Sequence, residues 1–153
     1  MKRSAYSLLV ILLLAFTGCD SDSGSDEADG LSLSDLTGSW TATSHTWTST
    51  SNSSISFDLV AAGGETRMTV LNGGGVRTWV VLGDLADEWD AQLSINGNAL
   101  TSTPAESSRS TDTYTAALSG NTLTLTDTAN EFDFTLSEAA PTPATMVVVL
   151  QKQ

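Results

Sequence analysis

Two kinds of apolar pattern divide this 153-residue chain. The first is a continuous run, from about Ala5 to Phe16, set behind Lys2 and Arg3 and closed by the small residues Thr17 and Gly18. A membrane-spanning helix needs ~20 apolar residues, so a run of roughly a dozen followed by acidic residues is too short to span. Its layout is that of a signal peptide over residues 1–18. The second pattern is alternation. In Glu88-Trp89-Asp90-Ala91-Gln92-Leu93-Ser94-Ile95, the residues Trp89, Ala91, Leu93 and Ile95 share one face, as in an antiparallel strand with one wet side. Tyr114, Ala116 and Leu118 alternate in the same way, as do Leu123 and Leu125, Phe132, Phe134 and Leu136, and Met146, Val148 and Leu150. These sets are expected to face one interior. From Ser32 onward helical periodicity is nearly absent.

Between the alternating segments stand Asn72-Gly73-Gly74-Gly75, Asn96-Gly97-Asn98 and Ser119-Gly120-Asn121, residues that tolerate the positive φ of tight hairpins. Strands are expected over about 38–48, 54–58, 66–71, 76–82, 88–95, 99–103, 112–118, 122–127, 131–136 and 144–150. Phe57 to Ala62, ahead of Gly63 and Gly64, has the composition of one helical turn with a glycine stop, placed to cap one end of the sheet. Gly97-Asn98-Ala99-Leu100-Thr101 returns as Gly120-Asn121-Thr122-Leu123-Thr124, a repeat of hairpin size. Roughly eight to ten short antiparallel strands joined in sequence avoid exposed edges best by closing. The fold expected is all-β, an antiparallel up-and-down barrel over residues 32–153, after the signal peptide and a tether over residues 19–31.

Leu36-Thr37-Gly38-Ser39-Trp40 opens the first strand, and this Leu-x-Gly-x-Trp start ahead of a chain of hairpins resembles the bacterial lipocalin-like families. The Ser119-Gly120-Asn121-Thr122-Leu123-Thr124-Leu125-Thr126 hairpin and the Pro143-Ala144-Thr145 lead into a Val-rich last strand carry the resemblance to about residue 150. It implies a barrel floor built on Leu36, Gly38 and Trp40, where Gly lets the strand bend and Trp plugs the end. It also implies a small apolar ligand held inside. Small heat-shock and copper-resistance lipoprotein barrels share the Gly-x-Trp start. The Thr-Asp-Tyr motif of vertebrate lipocalins is missing, and no arginine is placed to stack on Trp40.

Phe16-Thr17-Gly18-Cys19 resembles the bacterial lipobox, with Phe where Leu is usual. The resemblance implies cleavage before Cys19 and acylation of its thiol, hence a membrane partner and a place in the bacterial cell envelope. Cys19 is also the only cysteine, so no intrachain disulfide forms. Asp20 to Gly30 carries five carboxylates and no large apolar side chain, the composition of a disordered tether. Asp20 itself resembles an inner-membrane retention signal, while the acidic run resembles a surface-export signal, so either leaflet stays open. Removal of 18 residues from 153 leaves 135, enough for one domain and expected to be monomeric. Lys2 and Arg3 leave with the signal, so four basic residues face 18 acidic ones, a net charge of −14. Nucleic acid is thereby excluded as a partner. The same charge fits a salt-tolerant host or simple solubility of an exported protein.

Candidate chemistry is sparse. His45 is the only histidine, and straight alternation from Trp40 turns it to solvent, so neither a Ser-His-Asp site nor a zinc, copper or iron site of ordinary type is expected. The chain is read as a non-enzyme without cofactor. Asp84, Asp87, Glu88 and Asp90 gather at one turn, where an oxygen site for Ca²⁺ and a plain solvated turn both remain open. Glu131 and Asp133 are read as solubilising. Trp89, Tyr114, Phe132 and Phe134 are the candidates to line a ligand cavity, with Trp47 and Trp79 on outer faces by alternation. Two readings stand side by side: a lipid-anchored binding barrel, and a solid barrel that contacts another envelope component through its outer face.

Overall fold

A computed structural model describes residues 30–136 and 140–153. The signal peptide, Cys19 and nearly all of the tether lie outside the described residues. After a short helix α1 (Leu33–Leu36) come nine strands: β1 (Gly38–Ser49), β2 (Ser56–Asp58), β3 (Glu65–Val70), β4 (Gly75–Leu82), β5 (Leu85–Asn96), β6 (Ala99–Pro104), β7 (Asp112–Ser119), β8 (Thr122–Phe132) and β9 (Thr142–Lys152). All pairings are antiparallel. From β3 to β9 each strand pairs with the next in sequence. β1 pairs with β3 on one side and with β9 on the other, which closes eight strands into the expected barrel. β2 is a three-residue addition beside the far half of β1.

The two ends of the barrel differ. One is shut by the short hairpins at 71–74, 97–98 and 120–121 and by α1; the other carries the longer connections at 50–55, 59–64, 105–111 and 133–141. α1 was not legible as a helix, having only four residues. It begins with a capping box in which the Asp35 carboxylate accepts from the Ser32 backbone N–H at 2.9 Å and from its hydroxyl at 2.6 Å. A helix C-terminus leaves four carbonyls without helical partners, and here each has one. Leu33 O accepts from the Thr37 hydroxyl, Ser34 O from Thr37 N–H, Asp35 O from Lys152 Nζ at 3.1 Å and Leu36 O from Trp40 Nε1 at 2.7 Å. Side chains from β1 and β9 thus pin the helix over the end of the barrel.

Leu36 is fully buried and Trp40 is 1% exposed, both packed into the core at the closed end. Among the described residues no arginine stacks on Trp40, but Lys152 Nζ lies 5.2 Å from the centre of its ring, a cation–π contact made by β9. Gly38 has φ +130°, which favours glycine, and a Cβ there would stand 3.0 Å from the Lys152 side chain and crowd it. Gly30 lies beside Gly97, and the Gln153 N–H donates to Ser39 O at 2.9 Å, so both ends of the described domain sit at this closed end. Among the described residues the apolar core falls within residues 31–150, so residues 30–153 carry a core of their own.

Three expectations are corrected. First, β1 does not alternate straight through. Its register against β9 slips between Ala42 and Ser44, a bulge that inserts Thr43 as an extra residue. Trp40 and Ala42 point inward before it, and His45, Trp47 and Ser49 after it. His45, expected at the surface, is therefore only 7% exposed, and Trp47 turns inward rather than outward. Second, the segments 122–127 and 131–136 are not two strands. β8 runs through to Phe132 across a second irregularity between Asp127 and Asn130, where Asp127 captures the Ala129 N–H at 2.9 Å. Third, Phe134 and Leu136 lie past the end of β8 in a turn, and Leu136 is 59% exposed, so that set does not face the interior as a whole. The single turn with a glycine stop expected at Phe57 to Ala62 is present after the end of β2: Ala62 N–H donates to Asp58 O and Gly64 N–H to Leu59 O, with Gly63 at φ +88°.

Candidate functional site

The barrel interior is not filled. Above the floor lies a cavity of about 500 Å³, with Met68, Val76, Leu93, Leu100, Leu125 and Leu150 in its depth. It opens to solvent between the β4–β5 ribbon and the 105–111 connection, where the exposed residues Asp87, Ser108 and Ser110 line it. Trp89 and Tyr114 line it as the alternation of β5 and β7 directs. Phe132 and Phe134 do not line it. Phe132 stacks behind Trp47, ring centres 4.6 Å apart, and on Phe57 at 5.3 Å; Phe134 meets the Phe132 ring edge-on at 5.1 Å. The two phenylalanines form a rim cluster that supports Trp47 rather than the cavity wall itself.

The bulge at Thr43 brings two residues into the wall that straight alternation placed outside. His45 stacks on Trp47, ring centres 4.1 Å apart, so Trp47 is held between His45 and Phe132. Its Nε1–H donates to Asn130 Oδ1 at 3.0 Å, and Asn130 Nδ2 donates in turn to the buried Asp127 at 3.0 Å. Asn130 reaches the wall because the β8 irregularity resets the phase there. The imidazole of His45 lies between Thr66 Oγ1, 2.9 Å from Nδ1, and Met146 Sδ, 3.3 Å from Nε2. A thioether only accepts, so Nε2 carries the proton and the Thr66 hydroxyl donates to Nδ1. Burial holds the His45 pKa down to about 4 against the opposing pull of Asp58, so the ring is neutral at pH 7. The Asp58 carboxyl sits at about 2: burial would raise it, but hydrogen bonds from Ala61 N–H, the Ser44 and Thr46 hydroxyls and His45 N–H outweigh that.

Polar groups gather at the mouth. Burial pushes the Tyr114 phenol well above its ordinary range, with Asp112 and Asp127 adding to the shift. Burial likewise raises the Asp112 carboxyl, to which the Tyr114 hydroxyl makes a long hydrogen bond of 3.4 Å. Arg109, on the 105–111 connection, bonds to Asp87 and lies 4.7 Å over the ring of Trp89. That fixes the loop against the β4–β5 ribbon. The acidic turn is thereby divided between two faces: Asp87 pairs with Arg109, while Asp90 binds Arg77 at 2.8 and 3.0 Å, with Glu88 3.3 Å away. Among the described residues no three His, Cys, Asp or Glu side chains are grouped to hold a metal ion. Trp79 is on the outer face as expected, with Arg67 5.0 Å over its ring.

His45, Trp47, Asn130 and Arg109 were the site residues that sequence reasoning missed. A signal for the first two exists in β1: Trp40 and Ala42 hold one phase, His45 and Trp47 the other, with the small polar pair Thr43-Ser44 at the change. No family model matches the chain, and neither a curated protein nor a solved structure matches it.

Proposed function

We propose that this chain is the precursor of an exported, lipid-anchored barrel of lipocalin-like type that holds a small apolar molecule in its interior. The cavity of about 500 Å³ carries the reading. Small-molecule sites generally enclose ~300–1,000 Å³, mostly apolar with a few fixed polar groups, and this one has aliphatic depth, Trp47, Trp89 and Tyr114 on its walls and polar groups at its mouth. A barrel that served only as a rigid body would gain stability by filling that space. A neutral naphthylamine dye is expected to bind residues 30–153 with enhanced fluorescence. Thr78, whose side chain meets the cavity, offers the control: Thr78→Trp should abolish dye binding while the folded domain persists by circular dichroism. Unchanged dye binding in that variant would place the dye elsewhere and remove the support for an interior site.

The anchor is a separate part of the proposal, supported by the lipobox resemblance at Cys19 and the acidic run behind it. Cys19→Ser is expected to abolish incorporation of labelled palmitate and to shift the protein out of the membrane fraction, because several acyl chains, not one, give stable anchoring. Label retained in the variant would show that the lipid is carried elsewhere.

A second reading, an envelope protein that docks a partner, is favoured by one observation. The open end exposes Leu85 (76%), at the start of β5, and Leu136 (59%), in the turn after β8, to solvent. Crosslinking in intact cells from Leu85 would capture a partner on this reading and none on the first.

A further inference from the structure

The cavity's electrostatics select among apolar ligands. Three charged residues line it: Asp87, Arg109 and Asp112. Arg109 is the one cation among them, and it is already committed. Its guanidinium is bonded to Asp87, stands 3.8 Å from Glu106 and rests on the face of Trp89. His45 is held neutral by its burial and offers no charge. Against these stand two carboxylates at the same end that form no close ion pair among the described residues, although Arg109 attracts Asp112 through space. Asp112 lines the cavity and its one side-chain hydrogen bond is the long one from the Tyr114 hydroxyl, and Asp127 lies 8% exposed on the inward face of β8, where it accepts from Ala129 N–H and Asn130. A carboxylate or sulfate headgroup entering here would meet like charge, with only the neutral hydroxyls of Ser108 and Ser110 and the already paired Arg109 to receive it. An ammonium group would meet Asp112 directly, beside the ring of Tyr114, whose π face attracts cations.

Resting on the reading of the cavity as a binding site, we propose that its ligand is an organic cation, an apolar body carrying an amine or quaternary ammonium group. The apolar body lies against Leu93, Leu100 and Leu125, and the cationic group lies at the mouth against Asp112 and Tyr114. The mouth already shows the arrangement in miniature, with the Arg109 cation set between an indole face and a carboxylate. A fatty acid is thereby disfavoured, although its chain would meet the same aliphatic depth.

The test is displacement of the neutral naphthylamine dye from residues 30–153 by three ligands with the same ten-carbon body: decyltrimethylammonium, decanol and decanoate, each below its micelle concentration. The cation is expected to displace the dye at a concentration about tenfold below that of decanol, with decanoate weakest. Asp112→Asn should remove most of that preference, whereas Glu131→Gln, an exposed carboxylate off the cavity, should leave it within about twofold. Loss of the preference in both variants alike would mean a diffuse attraction of the acidic surface and would overturn the assignment to Asp112. Decanoate binding as well as the cation does in the unaltered protein overturns the cation proposal, yet leaves the cavity reading intact, since decanol still binds. If none of the three displaces the dye, the cavity reading itself fails. The unaltered protein alone decides whether the cation is preferred over decanoate, even if Asp112→Asn does not fold.

Discussion

Trp40→Ala is expected to cost about 3–5 kcal/mol of stability, the range for truncating a buried aromatic, out of the ~5–15 kcal/mol that holds a domain of this size together. The loss has three parts. The indole is 1% exposed at the centre of the floor, so its removal leaves a void under Leu36. Its Nε1–H no longer satisfies Leu36 O, which would be left buried without a donor, and Lys152 loses the ring beneath its ammonium group. The helix α1 should loosen with it. Trp40→Phe, which keeps most of the volume and loses the hydrogen bond, is expected to cost about 1–2 kcal/mol. Urea denaturation of residues 30–153 checks both. If the two variants lose the same amount, volume is not what the floor requires.

The second large effect is loss of stability in mild acid, and His45 is its source. In the unfolded chain this imidazole titrates near 6.5, whereas burial between Met146 and Trp47 lowers it to about 4 in the folded protein. Below pH 6.5 the unfolded state therefore takes up a proton that the folded state refuses. The contribution of the neutral ring is intact above that pH, falls as pH drops, and is lost by about pH 4, a change of about 3 kcal/mol. Asp112, whose folded carboxyl is raised, acts in the opposite sense, and Asp58 contributes only at lower pH, as its carboxyl protonates between about 4 and 2. The comparison that isolates His45 is with His45→Gln, which keeps a partner for Thr66 and cannot titrate. Denaturation midpoints measured between pH 7 and 4 should fall steeply for the unaltered protein and much less for the variant. Parallel slopes would assign the acid sensitivity to the carboxylates.

The sequence carried the architecture because a barrel wall repeats a simple rule: inward residues every second position, small turn residues between. Trp89 and Tyr114 could be placed on the cavity wall because β5 and β7 obey the rule without interruption. β1 and β8 break it. A bulge is one residue of register against a partner strand, a property of two segments more than a hundred residues apart, and it reverses every side chain beyond it. His45 and Trp47 were assigned outward for that reason alone. Phe132 and Phe134 fell short for another: the strand they were assigned to ends at Phe132, where the chain turns on Asp133. Arg109 sits in a connection without periodicity, and its contact with Trp89 and Asp87 depends on how the 105–111 loop folds back on the ribbon.

The location of the domain's two ends beside the floor has a use of its own. Gly30 and Gln153 both leave the barrel at the end away from the opening, so an added sequence at either one grows outward from the base and leaves the cavity clear. Their place at one end permits the two to be joined by a linker across the base and the chain to be reopened within the 105–111 connection, a circular permutation that changes connectivity without cutting any strand. In such a permutant Arg109 would lie near a free terminus, and the opening of the barrel could be widened or grafted with new sequence while α1, Trp40 and Lys152 continue to seal the base.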